Sequence, residues 1–200
     1  MDNSRFPDWS SKTALVMASG PSLGWTRVPP LSEDVCRIVT NSTYKLANYA
    51  DVLYAVDFQW WRHNIDDVRE SFMGDVWTQD VGAAERFNLN LCRGCYREGL
   101  GENVIHTAGN SGHGAINLAY LFGARRILLL GFDMREVDGR KHWHPDHPAP
   151  LVQKQQFGEW IHKFKKTAED AKRLGVEIIN CTPGSALPWF PMSTIEQELP

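Results

Sequence analysis

Short apolar runs separated by polar, glycine-bearing turns organise the chain. Seven of them read as strands: Thr13–Ala18, Cys36–Thr40, Val52–Val56, Val76–Gln79, Val104–His106, Arg126–Leu130 and Val176–Asn180. Their apolarity is mostly continuous rather than alternating, the mark of strands covered on both faces. Helical spacing lies between them. Ser111 can cap a helix that runs to Phe122, with Gly123 as its stop. Over Leu151 to Leu174, apolar positions at Phe157, Trp160, Ile161, Phe164, Ala168 and Ala171 recur every three or four residues, and Gly175 ends the run. The lysines of that segment read as its solvated face. Strands alternating with helices predict an α/β three-layer sandwich with a mostly parallel sheet, Thr13–Ala18 and Arg126–Leu130 lying at or near its centre. No periodicity stands out between Val81 and Gly101, which reads as an irregular loop near a site. The stretch from Pro188 to Pro200 reads as a loosely packed tail.

Two hundred residues fit one domain, and 42% apolar residues suffice for a core. The formal net charge of −3 gives no pull toward nucleic acid or an anionic membrane. No apolar run approaches the ~18 residues of a membrane span, and the N-terminal residues lack the apolar region of a signal peptide, so a cytoplasmic location is expected. Cys36 and Cys181 read as buried small residues. Cys92 and Cys95 form a single C-x-x-C, which reads as coincidence rather than half a zinc site or a redox pair. Of eight tryptophans, Trp77 and Trp160 read as core; Trp60, Trp61, Trp143 and Trp189 are open between core and pocket wall.

Candidate chemistry follows the predicted strands, where open α/β sheets bind ligands. Ser19-Gly20-Pro21-Ser22-Leu23 comes directly after the first strand. A glycine turn entering a helix start can hold a phosphate on backbone amides, and a side chain at Gly20 would then occupy the phosphate's space; an ordinary turn has the same composition. Asn41 follows the second strand, as a donor and acceptor for a ribose or base edge or as a helix cap. Asp57, after the third strand, is a pocket candidate. Asn110-Ser111-Gly112 opens a helix in a glycine-rich turn suited to an anion. Asp133 ends the strongly apolar strand before it. His142, His144 and His147 then fall within six positions together with Asp146. Such a loop can carry a general base, bind a metal, or be plain surface. Arg140 and Lys141 are placed to offer positive charge.

Taken in order, these segments resemble the bacterial sialyltransferases of the Campylobacter lipooligosaccharide type, and the wider group related to the 6-hydroxymethylpterin diphosphokinase-like family. Ala18-Ser19-Gly20-Pro21-Ser22-Leu23 matches the sialyltransferase turn Gly-Asn-Gly-Pro-Ser-Leu. Asn41 matches an Asn after their second strand, and Asn110-Ser111-Gly112 matches a Thr-Ser-Gly helix start. Gly131-Phe132-Asp133-Met134 matches Gly-Ile-Asp-Phe, a histidine loop follows, and Cys181-Thr182-Pro183-Gly184-Ser185 matches a final Cys-Pro-Asn-Ser. Ser19 and Gly184 depart from Asn in the family pattern.

The resemblance implies a Rossmann-like nucleotide-binding domain over residues 1–200. It implies a nucleotide-linked donor, a CMP-sugar first, held by Ser19 to Ser22, Asn41, Asp57, Asn110 to Gly112 and Asp133. It also implies a histidine base acting on an acceptor hydroxyl, with His147 favoured over His144 and His142 because the prolines after it stiffen its backbone. No metal ligand is assigned. The sialyltransferases resembled work without an essential metal, whereas the diphosphokinase branch implies ATP and Mg²⁺. Short free-standing relatives imply a phage-type member. A homo-oligomer is compatible with the sequence, and a non-catalytic nucleotide-binding or assembly role is a third reading.

Overall fold

A computed structural model describes residues 6–28, 32–145, 151 and 156–199. Among the described residues, nine strands and five α-helices follow in the order β1 (Thr13–Met17), β2 (Val35–Thr40), β3 (Val52–Tyr54), α1 (Phe58–Ser71), β4 (Asp75–Thr78), α2 (Val81–Phe87), β5 (Asn90–Leu91), β6 (Gly94–Cys95), β7 (Ile105–His106), α3 (Ser111–Leu121), β8 (Arg126–Leu130), α4 (Phe157–Leu174), β9 (Glu177–Asn180) and α5 (Ile195–Glu198). Short 3-10 turns, Pro21–Gly24 and Asn41–Lys45, follow β1 and β2.

The main sheet has seven strands in the order β5-β4-β3-β2-β1-β8-β9, and every pairing is parallel. This is a Rossmann-like α/β architecture; continuous apolarity predicted its buried parallel sheet, in whose interior β1 and β8 lie adjacent. The chain builds outward from β1 to β5 and then returns through α3 to β8 on the other side of β1. Strand order therefore reverses between β1 and β8, and a crevice opens there at the strands' carboxyl ends. β6 and β7 pair separately.

Alternate residues of each strand feed two apolar layers. Val16, Ile38, Ile127 and Leu129 pack with α3 and α4 through Ile116, Leu118, Phe122 and Phe164. Leu15, Val39, Leu53 and Leu128 pack with Trp60, Trp61, Ile65 and Val68 of α1. Among the described residues no helix is long and apolar enough to cross a membrane.

Three stretches differ from the sequence reading. Val81–Phe87 is a helix rather than irregular loop: the Asp80 carboxylate accepts the Ala83 N–H (2.7 Å), and Asn88 ends the helix in the left-handed region at φ 55°. Seven residues were too few to show a period. α1 was hidden because Trp60 and Trp61, adjacent in sequence, obscure its apolar stripe. The segment from Pro188 is not loose. Phe190 and Ile195 are buried, the Asn180 N–H donates to the Pro191 carbonyl (2.8 Å), and Arg126 pairs with Glu198. Two buried anchors and an ion pair bring this stretch onto the edge of the sheet that ends in β9.

His113 ties α3 to α4 inside the first layer. Its Nδ1 lies 2.8 Å from the His106 carbonyl, which can only accept, so Nδ1 carries the proton and Nε2 accepts from the Thr167 hydroxyl (2.6 Å). Burial pushes this imidazole down from 6.5 to about 4. The unfolded chain therefore takes up a proton below pH ~6.5 that the folded protein refuses until about 4. The resulting stability is complete above that range and is lost as pH falls through it, on the order of 3 kcal/mol. Denaturant unfolding between pH 7.5 and 4.5 should show this loss in the wild type and much less of it in His113→Gln. Equal pH dependence in the two proteins would overturn the assignment.

Candidate functional site

The turn after β1 is locked to the loop after β8. The Gly20 N–H donates to the Gly131 carbonyl (2.9 Å), continuing the β1–β8 pairing past both strand ends. Asp133 accepts the Ser22 N–H (3.0 Å) and the Ser22 hydroxyl (2.9 Å), and both residues are 1% exposed. Burial raises the Asp133 carboxyl above its ordinary value, against the lowering effect of the Ser22 hydrogen bonds and Arg135. A Cβ on Gly20 would overlap the Asp133 carboxylate and the Gly131 carbonyl oxygen. Gly20 has φ −62°, so it is required by close packing of two loops rather than by a left-handed backbone. Pro21 and Ser22 are buried and do not border the cleft; Ser19, Gly20 and Asp133 do.

The cleft has a volume of about 500 Å³, within the usual range for small-molecule sites. It runs across the carboxyl ends of β3, β2, β1 and β8. Asn41 borders it from the start of its 3-10 turn at φ 48°, a left-handed conformation that asparagine tolerates better than most residues. Asp57, immediately before α1, and Trp60 within it close the β3 end. Asn110, Ser111 and Gly112 contribute the first turn of α3, whose leading amides have no partner within the helix. The Asn110 side chain is engaged as that helix's cap, accepting the His113 N–H (3.1 Å), which leaves the backbone amides as the groups here able to meet an anion. Two left-handed residues, Ala108 (φ 46°) and Gly109 (φ 75°), precede it. Backbone of this kind concentrates at ligand sites.

The histidine loop is fastened by Trp143, which acts as a strut. Its N–H donates to the Ser19 carbonyl (3.1 Å), and its indole N–H donates to the Thr43 hydroxyl (3.3 Å). Ser19 and Thr43 hydroxyls lie 3.1 Å apart, so one polar knot joins the β1 turn, the β2 turn and the loop. His142 borders the cleft. His144 does not; its ring stacks on His142 at 5.0 Å and 5°, with its Nδ1 donating to the Pro145 carbonyl (2.7 Å). Asp146 and His147 lie outside the described residues.

Sequence reasoning selected Arg140 as a cation for the site, but Arg140 stands at the exposed end of the Val137–Arg140 turn and does not itself border the cleft. Arg135 borders the cleft instead, with Lys141. Arg135 follows the Asp133-Met134 strand end, so its position after β8 was the available signal. Phe157 and Trp160 of α4 add an aromatic wall; Trp160, expected in the core, packs partly buried against it and also borders the cleft. Trp189 packs on the core and donates its indole N–H to the Ile161 carbonyl. All four cysteines are free thiols, and burial pushes the Cys92 thiol up to about 12. Among the described residues no group of three or more His, Cys, Asp or Glu side chains could hold a metal ion.

No protein-family model and no curated protein sequence matches the chain. Solved structures do. The sialyltransferase CstII from Campylobacter jejuni, in complex with the substrate analogue cytidine-5'-monophosphate, superposes with a TM-score of 0.61 at 14% identity, over 92% of this chain and 86% of that one. CstII in complex with CMP-3FNeuAc gives 0.58 at 14% identity, over 90% and 85%. The chain therefore has a sialyltransferase-like fold across nearly its whole length.

Proposed function

We propose that this protein is a nucleotide-sugar-dependent transferase, with a CMP-sugar as donor and a hydroxyl as acceptor. The observation that carries the proposal is the cleft at the β1/β8 reversal. There a polar turn, Asn41, the open first turn of α3 and a histidine-bearing loop border one volume of about 500 Å³. The likeness to CstII, whose structures hold CMP and a CMP-sugar analogue, supports the same reading.

In this reading the amides of Ser111 and Gly112 meet the donor phosphate. Asn41 and Asp57 flank the nucleoside, and Ser19 and Asp133 set the turn that shapes the phosphate's surroundings. A histidine of the loop takes the acceptor proton. The acceptor oxygen then bonds to the anomeric carbon as the bond from that carbon to the phosphate oxygen breaks, and the electron pair leaves with the nucleotide. A hydroxyl is a weak nucleophile until a base removes its proton, which is the histidine's contribution.

Thermal unfolding with CMP, CDP, UDP, GDP and ATP, each with and without Mg²⁺, tests the donor class. CMP should raise the midpoint, and Mg²⁺ should add little. Stabilisation by ATP alone, dependent on Mg²⁺, would overturn the CMP-sugar reading in favour of diphosphoryl transfer. Stabilisation by none of the five would remove the nucleotide from the site.

A further inference from the structure

We propose that Arg135, assisted by Lys141, supplies the positive charge that neutralises the leaving nucleotide phosphate, an inference that rests on the transferase reading above. As the bond from the anomeric carbon to the phosphate oxygen breaks, its electron pair passes to that oxygen, and a singly charged phosphodiester becomes a doubly charged monophosphate. The first turn of α3 offers only about half a positive charge. The extra charge needs a preorganised cation to lower the barrier.

Arg135 and Lys141 both border the cleft. Among the described residues neither has an ion-pair partner. The nearest candidate, Asp133 two positions before Arg135, has both carboxylate oxygens engaged by Ser22. Arg135 and Lys141 share this concave surface with Asp57 and Asp133, and because both Asp133 oxygens accept from Ser22, neither cation is held in an ion pair and both can turn to an anion.

Arg135 is also aimed. Its Nε–H donates to the Gly184 carbonyl (2.8 Å), and Gly184 sits at φ 62°, where a Cβ would press on the guanidinium. One edge of the fork is thereby fixed to the protein, and the remaining N–H groups stay available for phosphate oxygens, the geometry in which arginine exceeds a point charge. The sequence-level departure at Gly184 thus acquires a role: it lets the Arg135 side chain lie against that turn.

The test is calorimetric titration of CMP and cytidine into the wild type, Arg135→Ala, Arg135→Lys and Lys141→Ala, followed by turnover. Arg135 is exposed, so its replacement should leave the fold intact. Arg135→Ala should weaken CMP by about 10–100-fold, the scale of a charge-assisted hydrogen bond lost, and leave cytidine unchanged. Turnover should fall further still, about 10²–10³-fold, because the charge is greatest in the transition state. Arg135→Lys should recover part of both, and Lys141→Ala should show a smaller version of the same pattern. Equal weakening of CMP and cytidine, or no weakening of either, overturns the assignment while the donor reading stands. A wild type that binds neither CMP nor cytidine overturns both.

Discussion

Alanine in place of one histidine of the loop after β8 should lower turnover by about 10²–10⁴-fold while donor affinity stays nearly constant, the usual worth of a positioned base. His142 is the described histidine on the cleft, and Trp143 beside it is tied to the Ser19 turn, so His142 borders the same volume as the donor groups. His144 stacks on His142 and donates to the Pro145 carbonyl, which makes it a support for that ring; His144→Ala should cost less than His142→Ala. His147, outside the described residues, is the residue that the loop's prolines favour. Three single variants assayed for turnover and donor binding separate these roles. The rate of the wild type should climb as pH rises and the imidazole becomes neutral, and the variant that loses this limb identifies the base. Full activity in all three variants, in a chelator-treated assay, would leave the loop without a catalytic part.

Gly20→Val should destabilise the protein by about 2–6 kcal/mol, read as a lower denaturant midpoint. Overpacking costs about 1–3 kcal/mol, and separating the Asp133 carboxylate from Ser22 would leave a buried acceptor unsatisfied at about 1–3 kcal/mol more. The Cβ alone causes the overlap with Asp133 and Gly131, so Gly20→Ala should carry much of the effect. From sequence a side chain at Gly20 is expected in the phosphate's space; the structure adds that its Cβ strikes the protein itself, so the fold is strained as well. An unchanged midpoint with abolished nucleotide affinity would leave the first effect without the second.

Residue pattern alone carried the architecture a long way. Continuous apolarity in Thr13–Ala18 and Arg126–Leu130 predicted buried parallel strands, and both lie side by side in the sheet interior. The segments at Ser19-Gly20, Asn41, Asn110 to Gly112 and Gly131 to Asp133 border one cleft, because parallel strands place their carboxyl ends on the same side, whereas the Gly184 turn after β9 does not border it. Short elements were less legible. β5 to β7 have two residues each, below the length at which a period of two can be seen, and α2 has a cap but too few turns for a helical stripe.

The amino-acid sequence by itself determined that this is an α/β chain with its polar, glycine-bearing turns at strand ends, since burial on two faces demands continuous apolar strands and tight turns demand those residue types. Which of those residues keep their polar groups open to the cleft was decided only by tertiary structure. Ser22 and Asp133 look alike as site candidates with Ser111 and Asn41, yet the first two spend their polar groups on each other across 111 positions of sequence. Arg135 lies only two positions beyond Asp133, but the Gly184 carbonyl that aims it comes 49 residues later. A hydrogen bond between loops distant in sequence leaves no local pattern, because its geometry depends on where the sheet places the two strand ends.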